Sequence, residues 1–123
     1  MSRNSVQQMT VVALVQRFEV IALEQSMAAD LDETTKYNRL YDQMEEIEEE
    51  LRSRDGDQRK VLLPLYDHAN AHVQLKAALA TLAIDPESAR KVLQDISDRN
   101  EYPEAASARS MMRSLDEGTY TPV

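Results

Sequence analysis

Apolar residues recur at intervals of three and four along most of the chain, the repeat of a helix that buries one face. The first such stretch runs from about Ser5 to Ala29. Ser5 is placed to cap it, and Val6, Met9, Val12, Val15, Phe18 and Ala22 form the stripe. Val11, Leu14, Val20, Ile21 and Leu23 widen that stripe beyond one face, so this helix is expected to be covered on two sides, by the rest of the same chain or by another subunit. Burial within the same chain is the expectation. A second helix starts near Asp32, whose carboxylate is expected to cap it. It carries Tyr37, Leu40, Tyr41, Met44, Ile47 and Leu51 on one side, a narrow seam that suits a hairpin partner for the first helix. Arg52-Ser53-Arg54-Asp55-Gly56-Asp57 ends it, with Gly56 expected to supply a left-handed cap.

From Gln58 onward the pattern shortens. Val61-Leu62-Leu63-Pro64-Leu65-Tyr66 predicts a short helix, Asp67-His68-Ala69-Asn70 a polar corner, and Val73, Leu75, Ala77, Ala78, Leu79 and Leu82 a further helix. Asp85-Pro86 is a capping residue followed by proline in the first helical position, and Ala89, Val92, Leu93 and Ile96 continue from it. A final helix follows Tyr102-Pro103 and ends before Gly118, leaving 119–123 as a tail. The expected organisation is one helical domain over 1–118, made of an N-terminal hairpin (5–54) and a repeat-like region (58–116).

Several of these segments resemble a known repeat. Leu62-Leu63-Pro64-Leu65-Tyr66-Asp67-His68-Ala69-Asn70-Ala71-His72-Val73-Gln74-Leu75-Lys76-Ala77-Ala78, followed by Leu82-Ala83-Ile84-Asp85-Pro86-Glu87-Ser88-Ala89, resembles one HEAT-type repeat. There a leucine-rich helix turns at an Asp/Asn corner into a second helix. Gln74 stands where that family usually has Arg, a departure that removes the expected Arg–Asp ladder between repeats. More broadly, the chain resembles an uncharacterised bacterial domain family with armadillo/HEAT-like helical repeats. That resemblance implies an all-α fold, a short alpha-alpha superhelix of about six helices in three hairpins (5–54, 58–84 and 86–116).

Composition narrows the function. The 123 residues include two glycines, no cysteine and an aromatic fraction of 5%, which argues against β-sandwiches, thiolate metal sites and disulfide frameworks. Phosphate loops, nucleophile elbows and dinucleotide fingerprints all depend on glycines that this chain lacks. Fourteen Lys and Arg against 22 Asp and Glu leave a net charge of −8, which disfavours nucleic acid and anionic lipid as partners. The apolar run Val11-Val12-Ala13-Leu14-Val15 is interrupted by Gln16-Arg17, so neither a signal peptide nor a spanning helix is expected, and the cytoplasm is the default location.

The expectation is a non-enzymatic protein-binding module with no cofactor and no metal, acting as a monomer or homodimer and engaging a basic protein partner. Two surfaces are candidates. Asp42, Glu45, Glu46 and Glu49 form an acidic helix face suited to steering such a partner. Asn38, Tyr41, His68, Asn70, His72, Gln74 and Lys76 are candidates for an exposed polar groove. The methionines Met9, Met27, Met44, Met111 and Met112 are expected to fill core. Other readings compete, among them a homodimer with the first helix as its interface and a mainly structural role. His68 and His72, four apart beside Asp67, have the spacing of a small metal-dependent enzyme, although no Glu follows His68 as a zincin motif requires. By analogy, a small acidic protein also suits an immunity protein that neutralises a basic toxin.

Overall fold

The computed structural model describes residues 3–123, with side chains from Ser5 onward. The first two positions of the expected 1–118 domain therefore lie outside the described residues. Among those residues the fold is all-α: six α-helices and one 3-10 segment, without strands. The helices are α1 (Arg3–Gln7), α2 (Val11–Asp30), α3 (Thr34–Ser53), α4 (Ala71–Thr81), α5 (Pro86–Arg99) and α6 (Glu104–Glu117), with the 3-10 segment at Gln58–Asp67. They belong to two compact units, residues 1–62 and 63–123, and the division falls inside the 3-10 segment.

In the first unit α3 packs along α2 and also against α1. The helix expected over 5–29 is broken at Gln8-Met9-Thr10. Thr10, not Ser5, starts the long helix, its hydroxyl accepting the Ala13 amide at 3.1 Å. The break also resets the buried stripe. Leu14, Phe18, Ile21, Ala22 and Ala28 face the core, while Val12 points outward. Of the seam expected on α3, Tyr37 is half-buried and Tyr41 is exposed, off the seam, whereas Leu40, Met44, Ile47 and Leu51 complete that core. Each such side chain contributes about 1.5–3 kcal/mol on leaving water.

The turn into α3 differs from expectation. Asp32 adopts a left-handed φ of 56° and lies in the turn, the N-cap is Glu33, and no side chain caps the helix. An aspartate tolerates that conformation better than most residues, so it serves the turn instead of the cap. At the other end α3 stops at Ser53 with Arg54 extended, and Gly56 takes its positive φ of 76° two residues beyond the cap.

Arg54 is held for another purpose. Its Nε donates to the Glu50 carboxylate at 2.8 Å, and its Nη2 to the carbonyls of Val6 (3.2 Å) and Met9 (2.6 Å). The final carbonyls of a helix have no partners within it. A charged donor from the residue that follows α3 therefore fastens the short α1, which could not persist alone. Asp57 and Arg59 form a second, bidentate pair (2.9 and 2.7 Å), and these hydrogen bonds hold the Asp57 carboxyl below the usual carboxylate range.

In the second unit α5 packs on α4 and α6, and α6 also meets α4. Leu75, Ala78 and Leu82 join Ala89, Leu93, Ile96 and Ala108 in one core, with Tyr66, Val92, Met111 and Met112 around it. Asp85 caps α5 as expected, accepting the Ser88 amide at 3.4 Å, with Pro86 in the first turn. Asn100 and Gly118 close α5 and α6 in left-handed conformations. Arg109 ties the α5–α6 turn, donating to Ser97 Oγ (2.9 Å), the Ser97 carbonyl (2.7 Å) and the Tyr102 hydroxyl. The short helix expected at 61–66 is instead a 3-10 segment from Gln58 to Asp67 with Pro64 inside it. Proline supplies no amide for an α-helical ladder, and the tighter turn tolerates that loss.

Candidate functional site

The outward face of α3 carries Asn38, Tyr41, Asp42, Glu45 and Glu49, all exposed, at spacings of three and four. Those spacings stack side chains one above another on a helix. The core seam sits on the opposite side, so the apolar pattern that buries Leu40, Met44, Ile47 and Leu51 also aims these groups at solvent. Glu46 lies on the shoulder of the strip and is half-buried. Tyr41 is the one aromatic ring within it, 45% exposed. Its hydroxyl donates to Glu45, and partial burial together with the charges of Glu45 and Glu48 raises the phenol above its usual range. The strip thus offers an anchored ring set among carboxylates, and can take up guanidinium or ammonium groups by charge-assisted hydrogen bonds and ring stacking.

The corner of the second unit is different. Asn70 Oδ1 accepts the amides of His72 (2.8 Å) and Val73 (3.1 Å), capping α4. The Asn70 amide donates to His68 Nδ1 at 2.9 Å. Gln74 donates to the Tyr66 carbonyl and accepts from Arg99, each at 2.7 Å. So where the repeat resemblance leads one to expect arginine, Gln74 ties the 3-10 segment to the end of α5.

His72, expected in an exposed groove, is buried, with its Nδ1 3.5 Å from a Glu104 oxygen on α6. Burial, assisted by Lys76 one turn on, pushes the ring down to about 4 despite that carboxylate, so His72 is neutral at pH 7. The structure places Asn38 and Tyr41 together with the acidic residues on α3. His68, Asn70 and Gln74 are instead engaged in building the corner.

The same geometry bears on the metal-enzyme alternative. Among the described residues no group of three or more His, Asp or Glu side chains is placed to hold a metal ion. The His68 Nδ1 lone pair is occupied by the Asn70 amide, and His72 is turned into the core.

Sequence reasoning did not assign Arg54, Arg109 or Glu104 to these contacts. Each bridges groups on different elements, and Arg54 reaches carbonyls more than forty residues earlier in the chain. It also placed Met27 in the core, whereas Met27 is exposed, on the outward side of α2.

Two helical units, one with an outward acidic strip, define a small all-α protein. Among the described residues no helix is long and apolar enough to cross a membrane. Residues 12–116 match the family described as Domain of unknown function (DUF2019), and the chain belongs to that family. It is also similar to the protein RPA1889 from Rhodopseudomonas palustris CGA009, known from a crystal structure. Identity is 40%, the TM-score is 0.94, and the match covers 96% of this chain and 98% of that one. No curated protein matches the chain.

Proposed function

We propose that the chain is a non-enzymatic protein-binding module that docks a basic partner on the outward face of α3. The observation that carries this reading is the ordered display of Tyr41 with Asp42, Glu45 and Glu49 on the side of α3 opposite its core seam. Like charges at these spacings repel by a few tenths of a kcal/mol each, a cost that a cationic surface relieves. Tyrosine supplies the amphipathic contact area that interfaces favour. The HEAT-like reading of residues 62–89 accords with such a role, since helical repeats present extended faces to other proteins.

The test is affinity capture from the source cell at low and high salt, using the wild-type chain and an Asp42→Asn/Glu45→Gln/Glu49→Gln variant. The expected partner is basic, is lost as ionic strength rises, and binds the variant at least about tenfold more weakly. Partners that ignore both salt and the substitutions would overturn the proposal.

A further inference from the structure

The outward side of α2 is apolar where the helix faces solvent. Val12, Val20, Leu23 and Met27 of the helix, with Leu31 just past its end, are all exposed, from 39% to 66%, and the other exposed positions of α2 are Gln16 and Asp30. Together the five apolar residues make an exposed stripe of the kind that marks an interaction site. A surface helix ordinarily puts charge on that side, as α3 does.

The spacing of the stripe suits a second copy of the same helix. The intervals from Val12 to Leu31 are four, four, three, four and four, the same read in either direction. Val12 and Leu31, Gln16 and Met27, and Val20 and Leu23 are therefore equidistant from a centre between Ile21 and Ala22. When two identical helices pack antiparallel about a two-fold axis at that centre, each residue of such a pair meets the other across the interface. Val20 and Leu23 then form the middle, and Met27 lies along the Gln16 stem.

Charge agrees with this arrangement. Arg17, whose guanidinium donates to Gln43 of α3 at 3.2 Å, and Glu24 lie on one shoulder of the stripe, on opposite sides of its centre. The antiparallel arrangement sets Arg17 of each copy within about 3 Å, along the axis, of Glu24 of the other. Packed face to face, two such stripes make an interface at the small end of what specific complexes bury.

We propose that this face of α2 is a self-docking surface on which a second copy of the chain packs antiparallel, with Val20 against Leu23. It involves a helix other than the one proposed for the basic partner and stands or falls separately from it.

Sedimentation of the intact protein over a range of concentrations tests the association, with Leu23→Glu as the disrupting variant. The expected result is a dimer that persists at high salt and whose dissociation constant rises at least tenfold in Leu23→Glu, with helix content and thermal midpoint of the monomer unchanged. Leu23 is exposed, so the fold tolerates the substitution. A monomer throughout, or a dimer indifferent to Leu23→Glu, overturns the proposal.

Register is tested by mixing Val20→Cys and Leu23→Cys variants under a mild oxidant, the chain having no cysteine of its own. The antiparallel pair gives the mixed disulfide well beyond the twofold excess over either homodimer that random pairing produces. Preferential homodimers would instead indicate a parallel pair and overturn the register.

Discussion

The outer face of α3 and the corner between the 3-10 segment and α4 are equally polar, but they use their polar groups differently. At the corner, Asn70 caps a helix, His68 accepts a backbone amide, Gln74 joins two segments and His72 is buried beside Glu104. On α3, Asn38, Asp42, Glu45 and Glu49 remain directed outward from a helix whose stability comes from its opposite side. A helix start has amides that need acceptors, so nearby polar side chains are drawn into the backbone. The middle of a helix has no such vacancies, and its solvent face is available for recognition.

That contrast predicts where substitutions cost stability, and the α1 clasp should show it most strongly. Arg54→Ala removes the charged donor to the buried Glu50 carboxylate and to the carbonyls of Val6 and Met9 at the end of α1 and just past it. Equilibrium denaturation should report a loss of about 3–4 kcal/mol, the scale for breaking a buried charge pair. A loss under 1 kcal/mol would mean that α1 is not held by this contact.

Acid should act on the corner next. In the folded chain His72 titrates at about 4 against an ordinary 6.5, so between those values the unfolded chain binds a proton that the folded chain refuses. This contribution is complete above about pH 6.5 and is lost as the pH falls toward about 4, by about 3 kcal/mol at most. Denaturant titrations at pH 7, 5.5 and 4.5 should show this slope, and His72→Gln should flatten it. A slope unchanged in the variant would assign the acid sensitivity to other groups.

Smaller effects come from the cap and from the outward strip. Asn70→Ala should cost about 1–2 kcal/mol by removing the acceptor for two α4 amides, measured as a lowered denaturation midpoint. Glu45→Gln and Glu49→Gln should shift stability by no more than about 0.5 kcal/mol in either direction, while weakening the basic partner. If these two variants unfolded the protein as Asn70→Ala does, the strip would be structural and the contrast between the two regions would disappear.

Much of this was legible from residue spacing. The period of Leu40, Met44, Ile47 and Leu51 predicts both the buried seam of α3 and the outward placement of Asp42, Glu45 and Glu49, because a helix fixes the two faces together. Asp85-Pro86 predicts the start of α5, since capping and the proline preference act within a few residues. The exposed α3 half of the candidate surface follows from the same local periodicity.

Other features depended on contacts distant in sequence. Val12 fits the apolar period of a continuous first helix, yet the Thr10 cap restarts the helix and turns Val12 to solvent. His68, Asn70 and Gln74 have the side chains of a binding groove, and only their distances to amides, carbonyls and Arg99 show that they build a corner. The sequence by itself determined that the fold is helical, where α5 starts and which face of α3 is acidic, because propensity and periodicity are properties of neighbours along the chain. The tertiary structure decided which polar groups are engaged and which apolar ones stay exposed, because hydrogen-bond partners and covering surfaces come from segments that spacing along the chain does not bring together.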